Sequence, residues 1–130
     1  MHFGPLLNAW SEIMKQYLAV FLGKPEAMNS FRNLPEAERK EREQRGMQAW
    51  MKWVQDNQSK IKQMGSPLGK TLKVDRSGVA PTRNDLGGWT VVEAESHEDA
   101  AKLFAGHPHF TVFPGDRVEV MEILPIPSMP

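Results

Sequence analysis

The sequence predicts an α+β fold, one four-stranded antiparallel sheet with two helices laid on one face. Three observations predict it. Candidate elements follow the order strand, long helix, strand, strand, helix, strand, the split β-α-β pattern of ferredoxin-like βαββαβ folds. The chain has 130 residues and a mass of 14.7 kDa, with no internal repeat, low-complexity stretch or linker long enough to separate domains. The first strand is apolar on both alternating faces, so it calls for cover on both.

That first strand spans 15–22. Tyr17, Ala19 and Phe21 alternate with Leu18, Val20 and Leu22, and Gly23-Lys24-Pro25 ends it. Residues 25–33 read as a loop with one helical turn. Asn33-Leu34-Pro35-Glu36 then supplies a cap, an early proline and a first-turn acid, so a long helix starts here. Over 36–45 it is mostly charged, with opposite charges four apart such as Glu36/Lys40 and Glu41/Arg45, a solvated face. Beyond Gly46, the spacing of Met47, Trp50, Met51, Val54, Ile61 and Met64 predicts a buried stripe running to the Gly65-Ser66-Pro67 stop, with Trp53 off its centre.

Residues 68–74 read as the second strand, 75–78 as a turn and 79–87 as an irregular polar segment. Residues 88–95 form the clearest strand, with Trp89, Val91 and Glu93 alternating with Thr90, Val92 and Ala94. Ser96, with Asp99 three residues on, opens a second, shorter helix that Gly106 and Pro108 close. Residues 116–124 form the last strand. Residues 1–13 read as an N-terminal extension before Met14, the alternative being a short helix over 6–13; residues 14–127 form the domain.

With both helices on one side, the other sheet face is left apolar and bare. Its simplest cover is a second sheet in a symmetric homodimer. Sixteen basic residues balance sixteen acidic ones, which argues against nucleic acid as a partner. The longest apolar run, 17–22, is far short of the ~20 residues that cross a bilayer. No secretory signal is evident, and the absence of cysteine suits a reducing cytoplasm.

His107 and His109 are the chemical candidates, because histidine titrates near neutrality and suits proton transfer. His107 follows a helix C-terminus, which is expected to raise its pKa; the plainer role is to cap that helix. An acid is needed to fix the tautomer, and Asp85 is the first candidate, with Asp116 next. His-x-His chelation is not expected: Pro108 separates the rings and no third ligand stands at useful spacing, so neither metal nor cofactor is implied. His97 reads as a surface residue. Trp89 fits either stacking on a planar ligand or burial in the core or a dimer interface.

At this point the chain resembles a known family. Residues 87–100, GGWTVVEAESHEDA, resemble the glycine-aromatic strand and helix start of YCII-related (YciI-like, DGPF) domains. Residues 106–110, GHPHF, resemble the family's GHPHL turn, and 118–125 resemble its closing IEVRPI strand. The likeness covers residues 14–127. The family's Asp-Gly-Pro-Phe signature is absent, and residues 81–86 stand in that loop with Asp85 its one relic. The resemblance implies a dimeric α/β barrel built from ferredoxin-like units. It also implies small-molecule enzymes in some members, of dehydrochlorinase or isomerase type, and company with transcription regulators in others. A His/Asp pair is the family's suggested catalytic device. The resulting expectation is a cytoplasmic homodimer acting on an unidentified small molecule by lyase- or isomerase-like acid–base chemistry; the alternative is a non-catalytic ligand-binding or regulatory dimer.

Overall fold

A computed structural model describes residues 14–128 of the chain. The expectation for residues 1–13 lies outside the described residues. Strand β1 (Lys15–Leu22) leads into helices α1 (Pro25–Arg32) and α2 (Glu36–Asp56). A short 3-10 turn (Gln58–Lys60) follows, then β2 (Ile61–Gln63), β3 (Thr71–Asp75), β4 (Gly78–Thr82) and β5 (Leu86–Ala94). The chain ends through α3 (His97–Lys102), α4 (Pro108–Thr111) and β6 (Arg117–Glu122). The fold is α+β: a four-stranded antiparallel sheet in the order β2-β5-β1-β6, with β3 and β4 forming a separate two-stranded hairpin. Among the described residues no helix is long and apolar enough to cross a membrane.

Register decides what each face carries. Tyr17 lies opposite Val92 and Ala19 opposite Thr90, and β6 brings Val118 beside Phe21 and Val120 beside Ala19. These side chains share the inner face and form the core with Ala94, Ala100 and Phe104, against which Trp50, Trp53 and Leu103 pack. The outer face carries the partners of opposite phase: Leu18 opposite Val91 and Met121, and Val20 opposite Trp89.

Several expectations change. Residues 25–32 form an eight-residue helix rather than a loop, with Pro25 at its first position and Glu26 in its first turn. Helix α2 stops at Asp56, well before Met64. Asn57 terminates it: its side-chain Nδ2 donates to the Trp53 carbonyl at 2.9 Å, and its own N–H bonds the Trp53 and Val54 carbonyls. Ile61 therefore reaches the core from the three-residue β2, which is the true second strand of the sheet.

The stripe moves as well. Met47 and Met51 are exposed, while the buried side of α2 runs through Gly46, Trp50 and Trp53. Trp53 belongs to that side because its Nε1–H donates to the Leu103 carbonyl at 2.8 Å. Gly46 is required there, since a Cβ would collide with the Phe113 ring. The expected second strand at 68–74 and the irregular segment after it instead pair with each other as β3 and β4. The predicted β1, the strand now bounded as β5, the Ser96 cap (Oγ accepting from the Asp99 N–H at 3.0 Å) and the left-handed Gly106 (φ 70°) all match the sequence reading.

Candidate functional site

A half-open cavity of about 470 Å³ lies where α1, α2 and the residues around α4 meet the end of the sheet. That size suits a small-molecule ligand. Its wall is almost wholly apolar, with Phe21, Phe31, Trp50, Trp53 and Phe113 as rings and three methionines between them. Among the described residues that line it, His109 alone carries a titratable side chain. At the floor Gly65, with φ 71°, brings residues 65–67 against β5; any side chain there would strike the Trp89 carbonyl.

The histidine turn is a short helix, and its two rings do different work. His107 is the N-cap of α4: its Nδ1 accepts the His109 backbone N–H at 3.0 Å. An accepting Nδ1 places the ring proton on Nε2, which is buried and has no hydrogen-bond partner among the described residues. The ring is wholly buried, with Trp50 4.5 Å away at 90° and Trp53 4.8 Å away at 67°. Contacts with aromatic rings give a buried N–H only weak polar compensation. Burial, followed by the nearby charge of His109, lowers the His107 pKa to about 4. The expected rise from a helix C-terminus does not occur, because desolvation outweighs that end charge and His107 faces forward to cap the next helix.

His109 lines the cavity. Its Nε2 lies 2.8 Å from the Leu22 carbonyl, which can only accept, so Nε2 carries the proton and Nδ1 keeps the basic lone pair of the neutral ring. Burial lowers its pKa; backbone hydrogen bonding at Leu22 and Arg117 and the charge of Asp116 pull the other way without overcoming it. The Leu22 carbonyl also accepts the Asp116 N–H at 2.8 Å, so one backbone oxygen ties β1, the ring and the start of β6 together. Gly115 leaves room for the ring, because a Cβ there would overlap it.

Asp85 is not brought to either histidine. It is exposed on the loop before β5, and its backbone carbonyl accepts the Gly23 N–H at 2.9 Å. Asp116, the second candidate, is the acid whose charge His109 feels, while its carboxylate pairs with Arg117 at 2.6 Å. Trp89, in the first half of β5, borders the cavity, but its pairing with Val20 sets it on the outer side of the sheet. His97 is exposed, yet its ring stacks on Tyr17 and its Nε2 lies 2.7 Å from the Val120 carbonyl, holding the edge strand. Among the described residues no three His, Cys, Asp or Glu side chains gather as metal ligands.

Sequence reasoning missed Phe31 and Phe113. Phe31 sat in a stretch read as loop, although its spacing from Met28 matches one helix face. Phe113 meets Gly46 across the fold, a contact with no signal in the local sequence.

No protein-family model matches the chain, and no curated protein matches it in sequence. Among solved structures it is similar to 5-chloro-2-hydroxyhydroquinone dehydrochlorinase from Burkholderia phenoliruptrix, in complex with 2,5-dihydroxybenzoquinone. The two are 17% identical with a TM-score of 0.46, over 81% of this chain and 89% of that one. Strand order and register therefore carry the fold, and the cavity carries the site.

Proposed function

We propose that the chain is a small-molecule enzyme in which His109 moves a proton to or from a flat, mainly apolar substrate held in the aromatic cavity. One observation carries this reading. A neutral histidine with its Nε2–H held by a backbone carbonyl is, among the described residues, the lone titratable side chain lining an otherwise apolar cavity. Such a ring is a general base through Nδ1, and burial keeps it unprotonated at neutral pH. His107 is a positioning residue in this reading, since its Nδ1 holds the His109 backbone. The orienting role first given to Asp85 passes to the Leu22 carbonyl, with Asp116 as the nearby charge. A lyase- or isomerase-like proton shift is the class of chemistry that one base of this kind supports.

The outer sheet face, with Leu18, Val20, Trp89 and Met121, is assigned to a second copy of the chain, giving a cytoplasmic homodimer of the dimeric α/β-barrel type. The resemblance to YCII-related domains agrees with that assembly. The second reading is a ligand-binding or regulatory dimer without turnover. What favours it is the cavity wall itself, which among the described residues offers no second acid or base beside His109.

Tryptophan fluorescence during titration with a panel of small planar carbonyl and phenolic compounds tests the site, since Trp50 and Trp53 line it. Saturable quenching supports the cavity, and its absence across the panel counts against it. Turnover by wild type that His109→Gln abolishes supports the enzyme. Binding with no turnover in either protein supports the second reading.

A further inference from the structure

Helix α1 is seated on the cavity and on little else. None of its eight residues is buried, and only Met28 and Phe31 are half-covered. These two stand three apart, on one helix face, and both line the cavity. Among the described elements none packs closely against α1. A helix of this length is marginal in water without packing. Its seat is therefore the cavity mouth, where the cover for Met28 and Phe31 depends on what fills the space beneath them.

The joints of α1 are short and its stem is fixed. Before the helix, the Gly23 N–H donates to the Asp85 carbonyl at 2.9 Å, tying the end of β1 to the loop before β5. After it, residues 33–35 lead straight into α2. That leaves residues 24 and 33–35 to absorb a swing of α1 while β1 and α2 stay in place.

Arg42 ties α1 to the opposite wall. Arg39, Lys40 and Arg45 on α2 each pair with a glutamate four residues away. Arg42 has Glu38 at the same spacing, yet its Nη2 donates to the Val112 carbonyl at 2.7 Å. Its guanidinium lies 5.1 Å from the centre of the Phe31 ring, within cation–π reach. Val112 adjoins Phe113, whose ring stands 6.4 Å from that of Phe31. One side chain on α2 thus joins α1 to the segment that carries Phe113.

We infer that α1 is a lid on the aromatic cavity, closing on a bound ligand through Met28 and Phe31 and latched by Arg42. The inference rests on the cavity being a ligand site and adds how that site is opened and shut. A ligand beneath the helix gives Met28 and Phe31 the apolar contact that the empty cavity lacks, so binding favours the closed state. Closure also shields His109 from water while a proton moves.

Amide hydrogen exchange on the full chain tests the lid, with 4-fluorophenol as the probe and tryptophan quenching as the check on binding. In the free protein, amides 28–34 should exchange at least about a hundredfold faster than those of β1 and β5, because α1 opens locally. Saturating 4-fluorophenol should slow amides 28–34 by about tenfold or more and leave α3 unchanged. Arg42→Met removes the donor and the cation but keeps a long side chain. It should speed exchange in α1 by about tenfold, with β1 unchanged. An α1 as protected as β1 in the free protein overturns the lid and leaves the cavity standing. So does quenching of the tryptophans with α1 exchange unmoved, or slowed only as much as α3. Arg42→Met with wild-type exchange in α1 overturns the latch. No quenching and no change in α1 overturns the cavity as a ligand site, and the lid with it. If the variant fails to fold, wild type with and without 4-fluorophenol decides alone.

Discussion

Acid should destabilise this protein through His107. The perturbation is a fall in pH, with His107→Asn as the reference. Asparagine can still accept the residue-109 N–H as an N-cap, but it cannot titrate. The wild-type ring has its pKa lowered from 6.5 to about 4 in the folded chain, so the unfolded chain binds the proton more tightly. Stability is thus fully present above the unfolded value and is lost as pH falls towards the folded one. Linkage gives a loss of about 1 kcal/mol between pH 7 and 5.5 and about 2 kcal/mol by pH 4.5, with roughly 3 kcal/mol as the limit. Urea unfolding followed by circular dichroism at the three pH values measures it. Every other side chain is common to both proteins, so the difference between the two pH dependences isolates His107. Equal slopes for wild type and His107→Asn would refute the reasoning, because a buried ring with an unpartnered Nε2–H cannot accept a proton without cost.

Other outcomes follow from the packing around the cavity. Trp53→Phe removes the Nε1–H bond to the Leu103 carbonyl while keeping most of the ring, and should cost about 1–2 kcal/mol in urea unfolding. Gly46→Ala should lower stability by about 1–2 kcal/mol despite alanine's better helix propensity, because the new methyl meets Phe113; unfolding measurements showing a gain would contradict that contact. Ser96→Ala should cost about 1 kcal/mol through the lost cap of α3, with cavity binding unchanged.

Local signals were legible where a single element declares itself. The alternation over 15–22 sufficed for β1, because a strand buried on one face and half-covered on the other is apolar throughout. Ser96 and Gly106 marked turns whose backbone demands those residues. The end of α2 was not legible, since Ile61 and Met64 continue the helical spacing by coincidence while Asn57 breaks the helix with one side-chain bond. β2 is only three residues long, and its place in the sheet is set by tertiary contact with Val92. The two histidines looked equivalent in sequence. Their separation into a buried cap and a cavity base depends on Trp50 and Trp53 closing over one ring, a contact made across more than fifty residues.

The central claim is that His109 is a neutral, Nε2-protonated base in the aromatic cavity. Long-range proton–nitrogen NMR of the histidine rings, followed through a pH titration with and without a quenching ligand, tests it most directly. The expected result is a His109 ring that is Nε2-protonated at pH 7, titrates below 6.5 and shifts when the ligand is added. A His109 that titrates like free imidazole and ignores every ligand that quenches the tryptophans would contradict it.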